Sequence, residues 1–501
     1  MKTTRRKFVK NVAGAAAAVG ALGLVNCANE GEKNENEVAA TMPVQPKGPA
    51  KEKYDVVVVG AGLSGLQAAI MLEEAGYDVL VLEGRKRLGG RVYTLENIPG
   101  KPEAAGEWIG ANYARMISMV DKMGLKLFSP EQNNENRPWM YHINGEFINR
   151  EDWESHPMNP QKGEFRHLLP SQFLSRISNH ENPLKDQPLD AWLRPELQKY
   201  DIPHDEYLRS KGLDEETIRL MNVTIHSGGM HRTSALNELR RYHVNEFNSK
   251  MSFSDGKSYK MIEGGNSQLP TRMAESLSNE VLLNKTVVAF REKNNVTEIS
   301  CADGTAYNAD HVICSIPISV LKDVVFEPII KGVAAEAIEQ IGYGLSIQAH
   351  FQVMEPFWEK DGLAPNMWSD GELERVAVRT KRSFDQPEAL VVFINGPESL
   401  KFRLMTDEQV FAYCQMKLAE LRPSTKGLLK PLLIQSCERD IHGAGDWVYW
   451  QPGQVTKFGN HMRPRHGNIH FCGEHTAIME RGMEGAFESG ERAALEIILE
   501  S

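Results

Sequence analysis

Residues 56–59 are four consecutive valines with no polar residue between them, the pattern of a parallel strand buried on both faces, and the run stops at Gly60. A turn follows, Gly60-Ala61-Gly62-Leu63-Ser64-Gly65, and then 66–75 reads as a helix that Gly76 ends. Residues 78–82 read as a second strand, closed by Glu83. Strand, glycine turn, helix and strand in this order predict a βαβ unit. Much further along, strands are expected at 347–353 and 391–394 and a helix at 408–421.

The turn carries the chemistry. Gly60 permits the tight bend, Gly62 lets backbone approach a pyrophosphate, Ser64 opens the helix, and Gly65 lets that helix lie close to the sheet. The helix N-terminus then points N–H groups at phosphate. Glu83 lies 18 residues beyond Gly65, near the roughly 20 expected for the carboxylate that binds an adenosine ribose, and an acid there disfavours a 2′-phosphate. The unit is built for a dinucleotide other than NADP.

At 501 residues the chain exceeds one ordinary core, which predicts two domains. Its 41% hydrophobic and 25% charged composition is that of a globular enzyme. Net charge is −10, and removing the five basic residues Lys2, Arg5, Arg6, Lys7 and Lys10 leaves about −15, which argues against nucleic acid as a partner. Residues 4–10, TRRKFVK, resemble the twin-arginine export consensus, and the uncharged stretch 12–25 is too short to span a bilayer comfortably. Residues 1–27 therefore read as a signal peptide for export to the periplasm or cell envelope. Leu24-Val25-Asn26-Cys27 resembles a lipobox with Asn26 in place of the usual small residue, so lipidation of Cys27 and ordinary cleavage nearby both stand, and Cys27 is the one expected membrane contact. Residues 28–52, polar and poor in apolar side chains, read as a disordered tether.

The six cysteines show no metal-ligand spacing, and Cys314 and Cys472 sit in apolar runs that predict buried thiols. His226 and His231 lack a third ligand nearby, so no metal is expected.

Arg85, Gly89, Gly90 and Arg91 form an RxxxGGR element directly after Glu83. With it the chain resembles the flavin-containing amine oxidase family, which includes monoamine, polyamine and L-amino acid oxidases. Further matching segments follow in order: Gly106-Glu107-Trp108-Ile109-Gly110, residues 262–270 (IEGGNSQLP), residues 309–317, and finally residues 469–475 and 482–490. The resemblance implies an α/β fold: a Rossmann-type FAD domain from 54–110, 255–325 and 438–497, and a mixed α+β substrate domain from 111–254 and 326–437. It places Gly60, Gly62, Ser64, Gly65, Glu83, Arg85, Arg91, Gly106, Glu107, Trp108, Ile109, Val287, Gly473, Glu474 and Met483 around FAD. Val287 would offer backbone to adenine, Glu474 would face the ribityl and phosphate region, and Met483 would open a helix aimed at the flavin pyrimidine.

Departures from the family pattern fall above the flavin. The family's lysine position holds Gln348, nine residues before Phe357-Trp358. A glutamine hydrogen-bonds but carries no ammonium charge; it either still holds a water or marks an enzyme slow with oxygen. Trp447 is nominated for an aromatic cage, with Tyr449 in reserve and a packed core tryptophan as the alternative. The second cage position is Gly482, and the position of covalent flavin attachment in some relatives is Gly445, so FAD is expected to be non-covalent. Arg481 is a candidate grip for a substrate carboxylate, against the reading of a solvated surface arginine. The resemblance implies hydride transfer from an amine or L-amino acid to flavin, imine hydrolysis, and reoxidation by oxygen to give peroxide. A dehydrogenase or desaturase with another acceptor is the alternative, and a non-catalytic FAD-binding envelope protein a remote one.

Overall fold

The computed structural model describes residues 52–98, 100–129, 138–223, 225–380 and 387–500. The expected signal peptide, Cys27 and the expected tether up to residue 51 lie outside the described residues.

The valine run becomes the strand Tyr54–Val59. Val56 and Val58 pack into one core with Leu66, Ile70 and Phe487, while Val57 and Val59 pack into another with Phe290, Val312 and Ile469. A strand with apolar cores on both sides needs no polar alternation, which is why the run is unbroken. It pairs in parallel with Val79–Leu82 on one side and with Ala306–Cys314 on the other. Val281–Leu282 extends the sheet beyond Val79–Leu82, and Ile469–Phe471 runs parallel to the end of Ala306–Cys314. The antiparallel strands Val287–Lys293 and Val296–Cys301 continue from its other half.

The helix after the glycine turn spans Leu63–Glu74, three residues earlier than expected. Gly62 is its N-cap, in extended conformation, so the first helical turn lies inside the glycine motif itself. Against this helix packs the chain's last one, Gly482–Ile498. A Cβ on Gly490 would lie 2.3 Å from the Ser64 carbonyl oxygen, so the two helices touch backbone to side. Both ends of the described chain thus meet at the phosphate turn.

The second sheet has seven strands, in the order Leu429–Ser436, Ser346–Val353, Pro387–Asn395, Arg375–Thr380, Asn366–Ser369, Trp139–Ile143 and Glu146–Asn149. Its expected members at 347–353 and 391–394 are present and longer at their ends. The helix Asp407–Leu421 covers one face, its N-terminus closed by a capping box between Thr406 and Gln409. A helical segment, including Pro170–His180, Glu215–Asn222 and Ala235–Ser249, forms a further core around Trp153 and Trp192. No helix among the described residues is long and apolar enough to cross a membrane.

Candidate active site

The parallel strands end at Val59, Leu82, Cys314 and Phe471. In open α/β sheets ligands bind beyond these carboxyl ends, where strand order reverses. Here a cavity of about 1400 Å³ opens at that point and runs on to the underside of the second sheet. Pockets for drug-sized ligands hold about 300–1,000 Å³, so this volume suits a dinucleotide together with a substrate.

Gly60 and Gly65 are required by close approach. A Cβ on Gly65 would lie 2.0 Å from the Gly60 carbonyl oxygen, and one on Gly60 2.2 Å from Ser315 Oγ. Gly62, by contrast, has nothing within 4 Å of such a Cβ and lines the cavity, leaving bare backbone for a phosphate. Glu83 is buried, its two oxygens accepting from Ala61 N and Arg85 N at 2.8 Å each. Arg85 donates to Asp440 at 2.5 Å. Arg91 donates to the Asp446 carbonyl at 2.6 Å and to Glu474 at 3.3 Å. Burial works against the Arg91 charge, but Tyr343, Glu474 and Asp446 outweigh it and raise its pKa. His475, hydrogen-bonded to Tyr343, is pushed down to about 3 by burial and by nearby arginines, so no second cation forms beside Arg91.

Ser64, Gly106, Glu107, Trp108, Val287, Gly473, Glu474 and Met483 also line the cavity. Asn266, wholly buried, donates to the carbonyls of Gly106 and Glu107 at 2.6 and 2.8 Å and clamps that loop in place. Two expected contacts stand back. Ile109 is fully buried in the core, and Gly65 acts through the packing of its helix. Met483 lies in the first turn of Gly482–Ile498, whose N-terminus favours negative charge. The bare-backbone turn, the buried ribose-type carboxylate and the helix N-terminus together fit FAD.

Gln348 pairs across the sheet with Phe393, and Phe393 with Arg375. Directly opposed residues share a face, so the three form one row above the cavity, Arg375 about 10 Å from Gln348 along the strand spacing. Gln348 Nε2 donates to the Ala104 carbonyl at 2.9 Å, and its oxygen meets His350 Nε2 at 3.2 Å. Its amide is thereby held at the junction of the two domains.

Trp447 lines the cavity and is only partly buried, so the packed-core alternative does not hold. Tyr449 is buried and does not reach the cavity. Gly482 lines it as well, with φ +58°, and the nearest atom to an added Cβ is the Tyr113 hydroxyl at 3.9 Å. Arg481 is not a solvated surface arginine: it is partly buried, facing Arg241, Glu238 and Tyr242, and it does not line the cavity. The arginines that do line the substrate end are Arg241 and Arg375.

His226 and His231 do not converge on a shared ligand position. His231 is exposed beside Asp205, whereas His226 donates to Asp446 and stacks on Trp447, ring centroids 4.7 Å apart. The sequence reading missed Asp446, Arg241, Arg375, Tyr113 and Asn266. Asn266 carried a signal through its place in the motif at 262–270, and Asp446 through its place between Gly445 and Trp447.

A dinucleotide cradle that opens into a chamber roofed by a mixed, mostly antiparallel sheet defines a two-domain flavoprotein oxidoreductase. Comparison with known proteins narrows this. The model of the flavin containing amine oxidoreductase family matches residues 63–498, and the chain belongs to that family. It is 28% identical to human amine oxidase [flavin-containing] B over 466 residues, 89% of this chain and 86% of that protein. Its fold matches that of putrescine oxidase bound to putrescine, with a TM-score of 0.73 and 24% identity over 89% of this chain and 99% of the other. Cyclohexylamine oxidase from Brevibacterium oxydans IH-35A matches with a TM-score of 0.70 and 21% identity, over the same shares of the two chains. The protein is an FAD-dependent enzyme that oxidises a C–N bond of an amine or amino acid by hydride transfer to flavin.

Proposed function

We propose that the chain oxidises a small amine or L-amino acid in the chamber between Trp447 and the Gln348 row, using non-covalent FAD. FAD supplies the two-electron acceptor when bound. The chain's own residues orient the substrate: Trp447 offers an aromatic face to the amine, Phe393 and Trp139 exclude water, and the row carrying Gln348 closes the roof. The continuity of this chamber with the phosphate turn carries the reading, because it brings a bound substrate to the flavin end of the cofactor. Non-covalent binding is supported at Gly445, where a Cβ would lie 2.2 Å from that of Tyr343 and leaves no room for a linking thiol. Arg241 and Arg375 on the chamber walls support including amino acids among the substrates.

Gln348 favours a second reading of the acceptor. Without an ammonium at that position, reduced flavin would pass electrons to a quinone or protein more readily than to oxygen. The tether and the TRRKFVK segment support twin-arginine export, with anchoring through Cys27 as one outcome. Mass spectrometry of the N-terminus in the producing cell decides it.

The test of function is a panel of amines and amino acids added without oxygen. Flavin bleaching is the expected result, and no bleaching by any member overturns the assignment. Admission of air then reads the acceptor: prompt peroxide supports an oxidase, and slow reoxidation that Gln348→Lys accelerates supports the alternative.

A further inference from the structure

Amines reach an active site chiefly as ammonium ions, yet hydride can leave the α-carbon only when nitrogen has a lone pair to form the C=N bond. Some group must take a proton first. His226 lines the chamber and stacks at 4.7 Å on Trp447 with 32° between the rings. Its Nδ1 lies 2.5 Å from Asp446 Oδ2. A carboxylate oxygen accepts, so Nδ1 carries the hydrogen, and in the neutral imidazole Nε2 is the nitrogen with the lone pair. The described residues offer Nε2 no hydrogen bond.

Backbone hydrogen bonds hold the two segments together beside the pair. The His226 carbonyl already accepts from Leu345 N at 2.6 Å, and Asp446 N donates to the Gly344 carbonyl at 2.9 Å. The second Asp446 oxygen accepts from Trp447 N at 2.6 Å, which fixes the carboxylate beneath the imidazole. These are the features of an oriented base: a defined tautomer, a carboxylate to stabilise the imidazolium, and an aromatic face beside it.

We propose that the His226–Asp446 pair removes the ammonium proton of the bound substrate before its α-carbon is oxidised. This rests on the amine-oxidising function given above. The N–H bond breaks, its proton goes to Nε2, and the electron pair stays on nitrogen. The α C–H bond pair then leaves as hydride to the flavin, and the nitrogen lone pair becomes the second C=N bond. The imidazolium afterwards returns its proton to water.

The charged and titratable surroundings of the pair are mixed. Arg241 lies 5.8 Å over the Trp447 ring, and Arg91 donates to the Asp446 carbonyl. The carboxyl groups nearby are Asp446 itself, Glu474 bonded to Arg91 and Glu238 bonded to Arg241. Cys437 is held protonated by burial, and the pKa of Glu438, whose carboxylate accepts from Ser399, is raised chiefly by burial.

The test is anaerobic flavin reduction across pH 6–10, using the two panel amines of most different ammonium pKa among those that bleach the wild type. A protein base gives both amines one rate midpoint; a midpoint that follows each amine's own ionisation overturns the proposal. His226→Gln should lower the reduction rate at pH 7 by about 10²-fold and recover toward wild type near pH 10, where free amine predominates. Asp446→Asn should do the same to a smaller degree. Equal loss at every pH, with FAD retained, assigns His226 a structural role and overturns the proposal, whereas bleaching in all these proteins leaves the amine-oxidising function standing.

Discussion

Glu480 shows how much the environment of one side chain governs near the cavity. It is 7% exposed, Asn112 reaches it at 3.4 Å, and burial with Glu484 and Glu488 nearby pushes its pKa up to about 7 from 4.5. A raised carboxyl pKa means that the folded state favours the proton. The stabilisation is fully present below pH 4.5 and is lost as pH rises through 7. Glu480→Gln mimics the protonated form, so thermal unfolding should match wild type at pH 4.5 and exceed it at pH 8 by up to about 3 kcal/mol. Equal melting at pH 8 would show that Glu480 is solvated there. Nothing in the sequence marks this residue, because its shift comes from folding that crowds three glutamates of one short segment. The same limit hid the His226–Asp446 pair, whose members lie 220 residues apart. Gln348 and Gly482 were legible as departures because each sits at a fixed offset within a recognisable motif, but their surroundings were not.

Elements were legible where their signals are local. The βαβ unit was readable from one buried run, three glycines and one acid, and its error of three residues arose because Gly62 caps a helix that begins within the turn. The row Gln348, Phe393, Arg375 was not readable, since it depends on the pairing register of three strands, which a one-residue slip would change. Gly490 belongs to the same class of non-local fact. Its added Cβ would stand 2.3 Å from Ser64 O, a backbone atom in the phosphate turn that cannot move without reshaping the cradle. Gly490→Ala, otherwise favourable within a helix, should therefore destabilise by about 1–3 kcal/mol and lower the FAD retained on purification. Wild-type flavin content and melting in this variant would mean that the two helices slide apart freely.

At the scale of the whole molecule the cofactor site is a clasp. Its walls come from the turn at 60–65, the RxxxGGR element, the loop at 106–108, the strand beginning at Val287 and the segment 473–486, so a bound dinucleotide ties both ends of the described chain to each other. Ligand at a hundredfold over its Kd stabilises the state that binds it by about 2.7 kcal/mol, and the clasp geometry says where that energy is felt. Hydrogen exchange of the deflavinated and FAD-loaded protein should show protection gained together at 58–66, 83–91, 104–108 and 473–486. Those segments share one ligand and cannot open singly without breaking its contacts. The helices Pro170–His180 and Glu215–Asn222, which line no part of the cavity, should change least. Protection confined to the first βαβ unit would mean that the C-terminal helix docks without the cofactor, and that Glu474 and Met483 follow FAD binding without contributing to it.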